Sequence, residues 1–128
     1  MVTSNLTGAQ IANLRSLLKT QAQELRTEIR DELLRSEHGE YADLAGRVHD
    51  PGEESVANLL AEQNIAIVAH QTLELRAVEL ALQRINTDYY GVCSDCFAPI
   101  AYPRLQVQPA AERCIVCQTK KESSRATL

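Results

Sequence analysis

Along the first third of the chain, Ile11, Leu14, Leu18, Gln21 and Leu25 recur at alternating spacings of three and four, with polar residues between them. Side chains three and four apart share one helix face, so the pattern predicts a helix with a coiled-coil seam, running to about residue 38. Thr7 followed by Gln10 fits a capping box that satisfies two orphan N–H groups of the opening turn, and His38 with Gly39 supplies a stop. The stretch GEYADLAGRVHD has too many turn-forming and acidic residues to continue the helix and is read as a loop. Asp50, Pro51 and Glu53 then fit a second start, with Asp as N-cap, Pro in the first helical position and Glu reaching back. Leu59, Gln63, Ala66, His70, Leu73, Ala77, Leu80 and Arg84 carry a second stripe, which predicts one helix over about 51–87.

Two helices joined by a short loop and sharing one seam are expected to pack antiparallel. At about 1.5 Å per residue, some 30 residues make an arm of about 45 Å, exposed on most of its sides. The chain is thus expected to be mostly α, with a hairpin and its N-terminal segment in residues 1–88 and a small cysteine module with a C-terminal helix in 89–128.

Composition supports helices over sheets: with no Trp, one Phe and four Tyr among 128 residues, burial must come from Leu, Ile, Val and Ala. A formal charge of −4 argues mildly against a free nucleic-acid binder. No apolar run is long enough to span a membrane, and the first twenty residues lack the basic-then-apolar order of a signal peptide. The expected location is cytoplasmic, where thiols stay reduced and paired CxxC motifs point to metal before disulfide.

All four cysteines fall in two such pairs, Cys93/Cys96 and Cys114/Cys117, separated by the seventeen residues 97–113. That separation lets a hairpin bring the second knuckle back to the first. Four thiolates close a tetrahedron around one zinc ion and leave no position for water or substrate, so the expected site is structural. A redox dithiol would need a thioredoxin-like context that is absent here. A zinc site that releases its metal on oxidation stays open. His38, His49 and His70 are read as solvated or seam residues, since the cysteines already complete the ligand set.

The stretch YYGVCSDCFAPIAYPRLQVQPAAERCIVCQ, preceded by two helices meeting near DPGEES, resembles the DksA/TraR family of bacterial transcription factors. Tyr-Gly before the first knuckle, the Pro-Arg-Leu run, Pro before the second knuckle and Cys-x-x-Cys-Gln carry the resemblance, which covers most of the chain. It implies a zinc module bearing a helical hairpin that enters the secondary channel of RNA polymerase and destabilises open complexes, in some members together with guanosine tetraphosphate. It implies no sequence-specific DNA binding. Tip residues carried over are Asp50, Glu53 and Ser55, matching an Asp-x-x-Asp-x-Ala pattern from which Glu53 and Ser55 depart. The positions that contact guanosine tetraphosphate in responsive members are here Ala77, Gln108 and Gln118, so no alarmone site is expected. Arg104 is a family-like position that contacts either the module or polymerase. Phe97 stands where Gly commonly follows the first knuckle and is expected to pack against the hairpin base, while Tyr89 and Tyr90 are expected to cover the joint.

Charge agrees with that picture: residues 37–54 hold six acids against Arg47 alone, whereas 104–125 hold five bases and two acids. A negative tip suits a basic, Mg²⁺-containing channel and is repelled by a phosphate backbone. No catalytic constellation is present, and the chain is expected to be a monomeric non-enzyme. Two rival readings remain, a zinc-ribbon nucleic-acid binder and a coiled-coil interaction or chaperone-like protein. Retention on DNA at low salt and self-association through the seam would distinguish them.

Overall fold

A computed structural model describes residues 4–35, 39, 41–52, 54–63 and 65–126. The helices are α1 (Gly8–Leu34), α2 (Ala42–His49), α3 (Val56–Gln63), α4 (Ala69–Arg84), α5 (Tyr102–Val107) and α6 (Ile115–Ala126), with a 3₁₀ turn at Ala66–Val68. Among the described residues, β pairing is limited to an isolated antiparallel bridge between Val92 and Pro99. The fold is a helical hairpin with arms α1 and α4, joined to a small C-terminal four-cysteine module that ends in α6.

The chain forms two compact units. One is Lys19–Glu79; the other comprises the described parts of Met1–Leu18 and Leu80–Leu128.

The start of α1 is as the pattern predicts: Thr7 N–H donates to Gln10 Oε1 at 2.9 Å and Gln10 N–H to Thr7 Oγ1 at 3.1 Å. Its seam is also as predicted, with Leu14, Leu18 and Leu25 buried, and Ala22, Ile29 and Leu33 continuing it. His38 lies outside the described residues.

Three expectations fail between α1 and α4. The stretch read as a loop folds into α2, because Ala45 and Val48 fall three apart and are buried on one face. Asp43 in its first turn and Arg47 and His49 in its last suit the helix dipole, a signal outweighed in the sequence by turn formers. Asp50 is not an N-cap but closes α2, its N–H donating to Gly46 O at 3.1 Å. The N-cap of α3 is Ser55, whose Oγ accepts Asn58 N–H at 3.1 Å. Glu53 lies outside the described residues.

The predicted second helix is also broken. α3 ends at Gln63, Ile65 is extended with φ −91° and ψ 111°, and α4 begins only after the 3₁₀ turn. Ile65, Ile67 and Val68 form a β-branched cluster of low helix propensity, and burial of Ile65 and Val68 holds the break. The break rotates the seam onto a different face. Val68, Leu75, Val78, Ala81 and Ile85 are buried, while Leu73 of the predicted stripe is 68% exposed and Leu80 41%. His70 is exposed and pairs with Glu74 at 2.7 Å.

Within the unit that holds the cysteines, Leu14 and Leu18 of α1 share a core with Ala81, Ile85, Tyr90, Ile100 and Leu105. Asn13 Nδ2 donates to Tyr102 Oη at 2.8 Å, Arg15 to Asn86 Oδ1 at 3.0 Å, and Tyr90 Oη to Pro109 O at 2.8 Å. Tyr90 is therefore buried and held, whereas Tyr89 is 76% exposed. Burial pushes the Tyr90 phenol up to about 12, partly offset by the nearby Arg84 cation.

Gly91 turns the chain at φ +80°, and a Cβ there would stand 2.8 Å from Leu6 Cδ1 and 3.0 Å from Ser4 Cβ. Gly91→Ala is therefore expected to cost about 1–3 kcal/mol, through both backbone strain and displacement of the segment lying on the glycine. Chemical denaturation of the zinc-loaded protein checks this, and a midpoint equal to wild type would rule it out.

Candidate metal centre

The first knuckle is a tight turn closed on itself. Cys93 N–H donates to Ala98 O at 2.8 Å, Phe97 N–H to Cys93 O at 3.0 Å, and Ile100 N–H to Gly91 O at 2.8 Å. Bringing Ala98 back onto Cys93 requires a left-handed residue, and Phe97 supplies it at φ 62°, in a region that costs an L side chain about 1–2 kcal/mol. Glycine would adopt that conformation without the cost. The Phe97 ring does not pack as expected but is 60% exposed, because the turn points its side chain outward.

The second knuckle starts α6. Gln118 N–H donates to Cys114 O at 3.0 Å, which places Cys114 at the cap and Cys117 in the first turn, where the helix dipole favours thiolates. Polar ties join the knuckles: Ser94 N–H donates to Glu112 O at 2.8 Å, and Arg113 Nε to Asp95 Oδ2 at 2.8 Å. Arg104 donates Nε to Arg113 O at 3.0 Å, so in this structure its head serves the module. The Arg113–Asp95 tie had no sequence signature, since the partners are 18 residues apart.

The ligand atoms of Cys93, Cys96, Cys114 and Cys117 all lie within 4.8 Å of one another. Cys96 Sγ and Cys114 Sγ are 3.8 Å apart, and a tetrahedron with metal–sulfur bonds of about 2.3 Å has edges of about 3.8 Å. The four sulfurs also perturb one another. Burial acts to raise the Cys93 thiol, yet N–H groups of Cys96, Cys114 and Asp95 bring it down to about 6. Cys117, hydrogen-bonded to Cys114 and crowded by the other sulfurs, is pushed up to about 12. Four thiolates this close repel one another unless a cation neutralises them. The four cysteines thus hold one structural zinc, with Cys93 buried and Cys96 exposed.

The other residues singled out in the sequence lie apart from this centre. Asp50 is exposed at the end of α2, and Ser55 heads α3. Arg26 and Arg30 of α1 line a cavity of about 140 Å³ with Val48, His49 and Pro51, so the acidic turn has a cationic flank that charge counting within 37–54 missed. Arg30 Nη1 lies 3.1 Å from His49 Nδ1. Ala77 is half-buried on α4, Gln108 caps α5, and Gln118 Nε2 donates to Glu122 Oε1 at 3.1 Å.

A family profile described as the prokaryotic dksA/traR C4-type zinc finger matches residues 90–123. Over 114 residues, 89% of this chain and 72% of the relative, the chain is 25% identical to the RNA polymerase-binding transcription factor DksA of Escherichia coli strain K12. A 48-residue stretch, 38% of this chain and 33% of the relative, is 35% identical to the protein of the same name from Haemophilus influenzae. Among solved structures, transcription factor DksA2 from Pseudomonas aeruginosa aligns with a TM-score of 0.64 and 29% identity, over 93% of this chain and 88% of that one. The likeness thus extends through the helices as well as the cysteine knuckles, and residues 90–123 match the dksA/traR type of C4 zinc finger.

Proposed function

We propose that this protein regulates transcription by binding RNA polymerase directly, inserting its helical hairpin into the secondary channel and changing the stability of open complexes. The observation that carries the reading is the extent of the likeness, which takes in nearly the whole chain, hairpin included, and relatives named for polymerase binding. A zinc knuckle alone would suit many partners. Asp43 and Asp50 are exposed near the turn between the arms, and Glu54 pairs with Arg47 at 3.1 Å. Such a turn favours a cationic channel over DNA. The closed four-sulfur site gives zinc a structural task, and the protein acts without chemistry of its own. Ala77 and Gln108 carry no charge to pair with a phosphate, and Gln118 is engaged by Glu122. Regulation is accordingly independent of guanosine tetraphosphate at these positions.

Co-purification with bacterial RNA polymerase, read with open-complex lifetime on a ribosomal promoter, tests this. Wild type and Asp50→Asn are expected to bind alike, with lifetime shortened by wild type about tenfold more than by the variant, a difference of about 1.4 kcal/mol. The effect is expected to be unchanged by guanosine tetraphosphate on a polymerase lacking its other alarmone site. Absence of polymerase binding, or retention on DNA alone, would sink the reading.

A further inference from the structure

The first turn of α3 is capped from a distance. Glu79, on α4, accepts Ser55 Oγ at 2.9 Å and Ala57 N–H at 3.2 Å on Oε1, and Val56 N–H at 3.2 Å on Oε2. Ser55 Oγ accepts Asn58 N–H in turn, and Arg76, three residues before Glu79, donates Nη2 to Asn58 Oδ1 at 3.3 Å. An ordinary N-cap satisfies one orphan N–H from within its own turn. Here a carboxylate 24 residues beyond Ser55 takes two more, adds negative charge at the positive helix end and ties that end to α4. The same contacts give the Ser55 hydroxyl, which departs from the family's Ala, a structural use as both donor and acceptor.

The chain between α2 and α3 is consequently anchored at both ends. Asp50 is held by its N–H bond to Gly46 O, Glu54 N–H donates to Pro51 O at 3.1 Å, and Arg47 fastens Glu54. We infer that Glu79 is a positioning residue for the tip: its clasp on Ser55, Val56 and Ala57 fixes where the turn ends and so presents Asp50 in one orientation. This rests on the polymerase reading above for its functional consequence, while the clasp itself is a property of the free protein.

The test uses full-length, zinc-loaded Glu79→Ala and Glu79→Gln. In the free protein, amide hydrogen exchange at Val56 and Ala57 is expected to speed by about tenfold or more in the alanine variant. The glutamine variant retains a single acceptor oxygen and is expected to keep one of the two amides protected. With polymerase, Glu79→Ala is expected to bind within about twofold of wild type yet lose about tenfold of the effect on open-complex lifetime, with partial recovery in Glu79→Gln. Wild-type exchange in both variants overturns the clasp. Faster exchange with undiminished regulation overturns its positioning role. Should Glu79→Ala lose its fold, the glutamine variant decides: wild-type protection of both amides and full regulation overturn the inference, and loss of one protected amide supports it. If wild type itself ignores polymerase, the functional reading fails, and the exchange data alone still decide the clasp.

Discussion

Replacing Cys114 with serine is expected to strip zinc from the protein and unfold the module around it. Nothing else in that module is strong enough to compensate. Its backbone bonds are mostly short turns, its β pairing among the described residues is the isolated Val92–Pro99 bridge, and its apolar burial rests on a few side chains, Tyr90, Val92, Ile100 and Leu105. Structural zinc in comparable small domains contributes about 10–16 kcal/mol of apparent binding free energy at neutral pH, comparable to the whole stability of an ordinary domain, about 5–15 kcal/mol. A hydroxyl in place of the thiolate at the head of α6 removes a ligand and a charge together. Metal analysis should read one zinc per chain for wild type and well under one for the variant, with loss of amide protection at Cys93 and Ile100. Chelation of wild type should reproduce the result. A metal-free variant with wild-type protection would show that the sulfurs cluster for another reason.

The second large effect separates two leucines on one helix. Leu75 is fully buried and Leu73 is 68% exposed, so Leu75→Ala is expected to cost about 2–5 kcal/mol and Leu73→Ala less than about 0.5 kcal/mol. The contrast is a direct check on the seam, because the continuous stripe read from sequence places Leu73 inward. Denaturant midpoints with unchanged slopes would give both values. Equal losses from the two variants would mean that the face of α4 has been misplaced.

That pair of leucines also shows where sequence reading stops. The α1 seam is legible because α1 is one uninterrupted helix, so spacing alone keeps Leu14, Leu18 and Leu25 on one face. The same reading drifts after Gln63, because the five positions between α3 and α4 reset the phase and leave no strong punctuation. The Asp50–Pro51 pair looks like a helix start yet ends α2, since short side-chain preferences cannot say which of two adjacent helices claims a residue. The short α2 hides behind Gly46 and acidic neighbours, and only burial of Ala45 and Val48 makes it a helix.

By itself the sequence determined what depends on local spacing: the Thr7–Gln10 capping box, the α1 seam, and the four cysteines as one metal site, since each CxxC positions two sulfurs within a turn. Tertiary structure alone decided what depends on distant segments meeting. It turned the α4 seam, laid Leu6 against Gly91, tied Arg113 to Asp95 across the knuckles, and brought Glu79 onto the first turn of α3. Those contacts join residues many positions apart, and their energies come from burial and satisfied polar groups that exist only once the chain has folded.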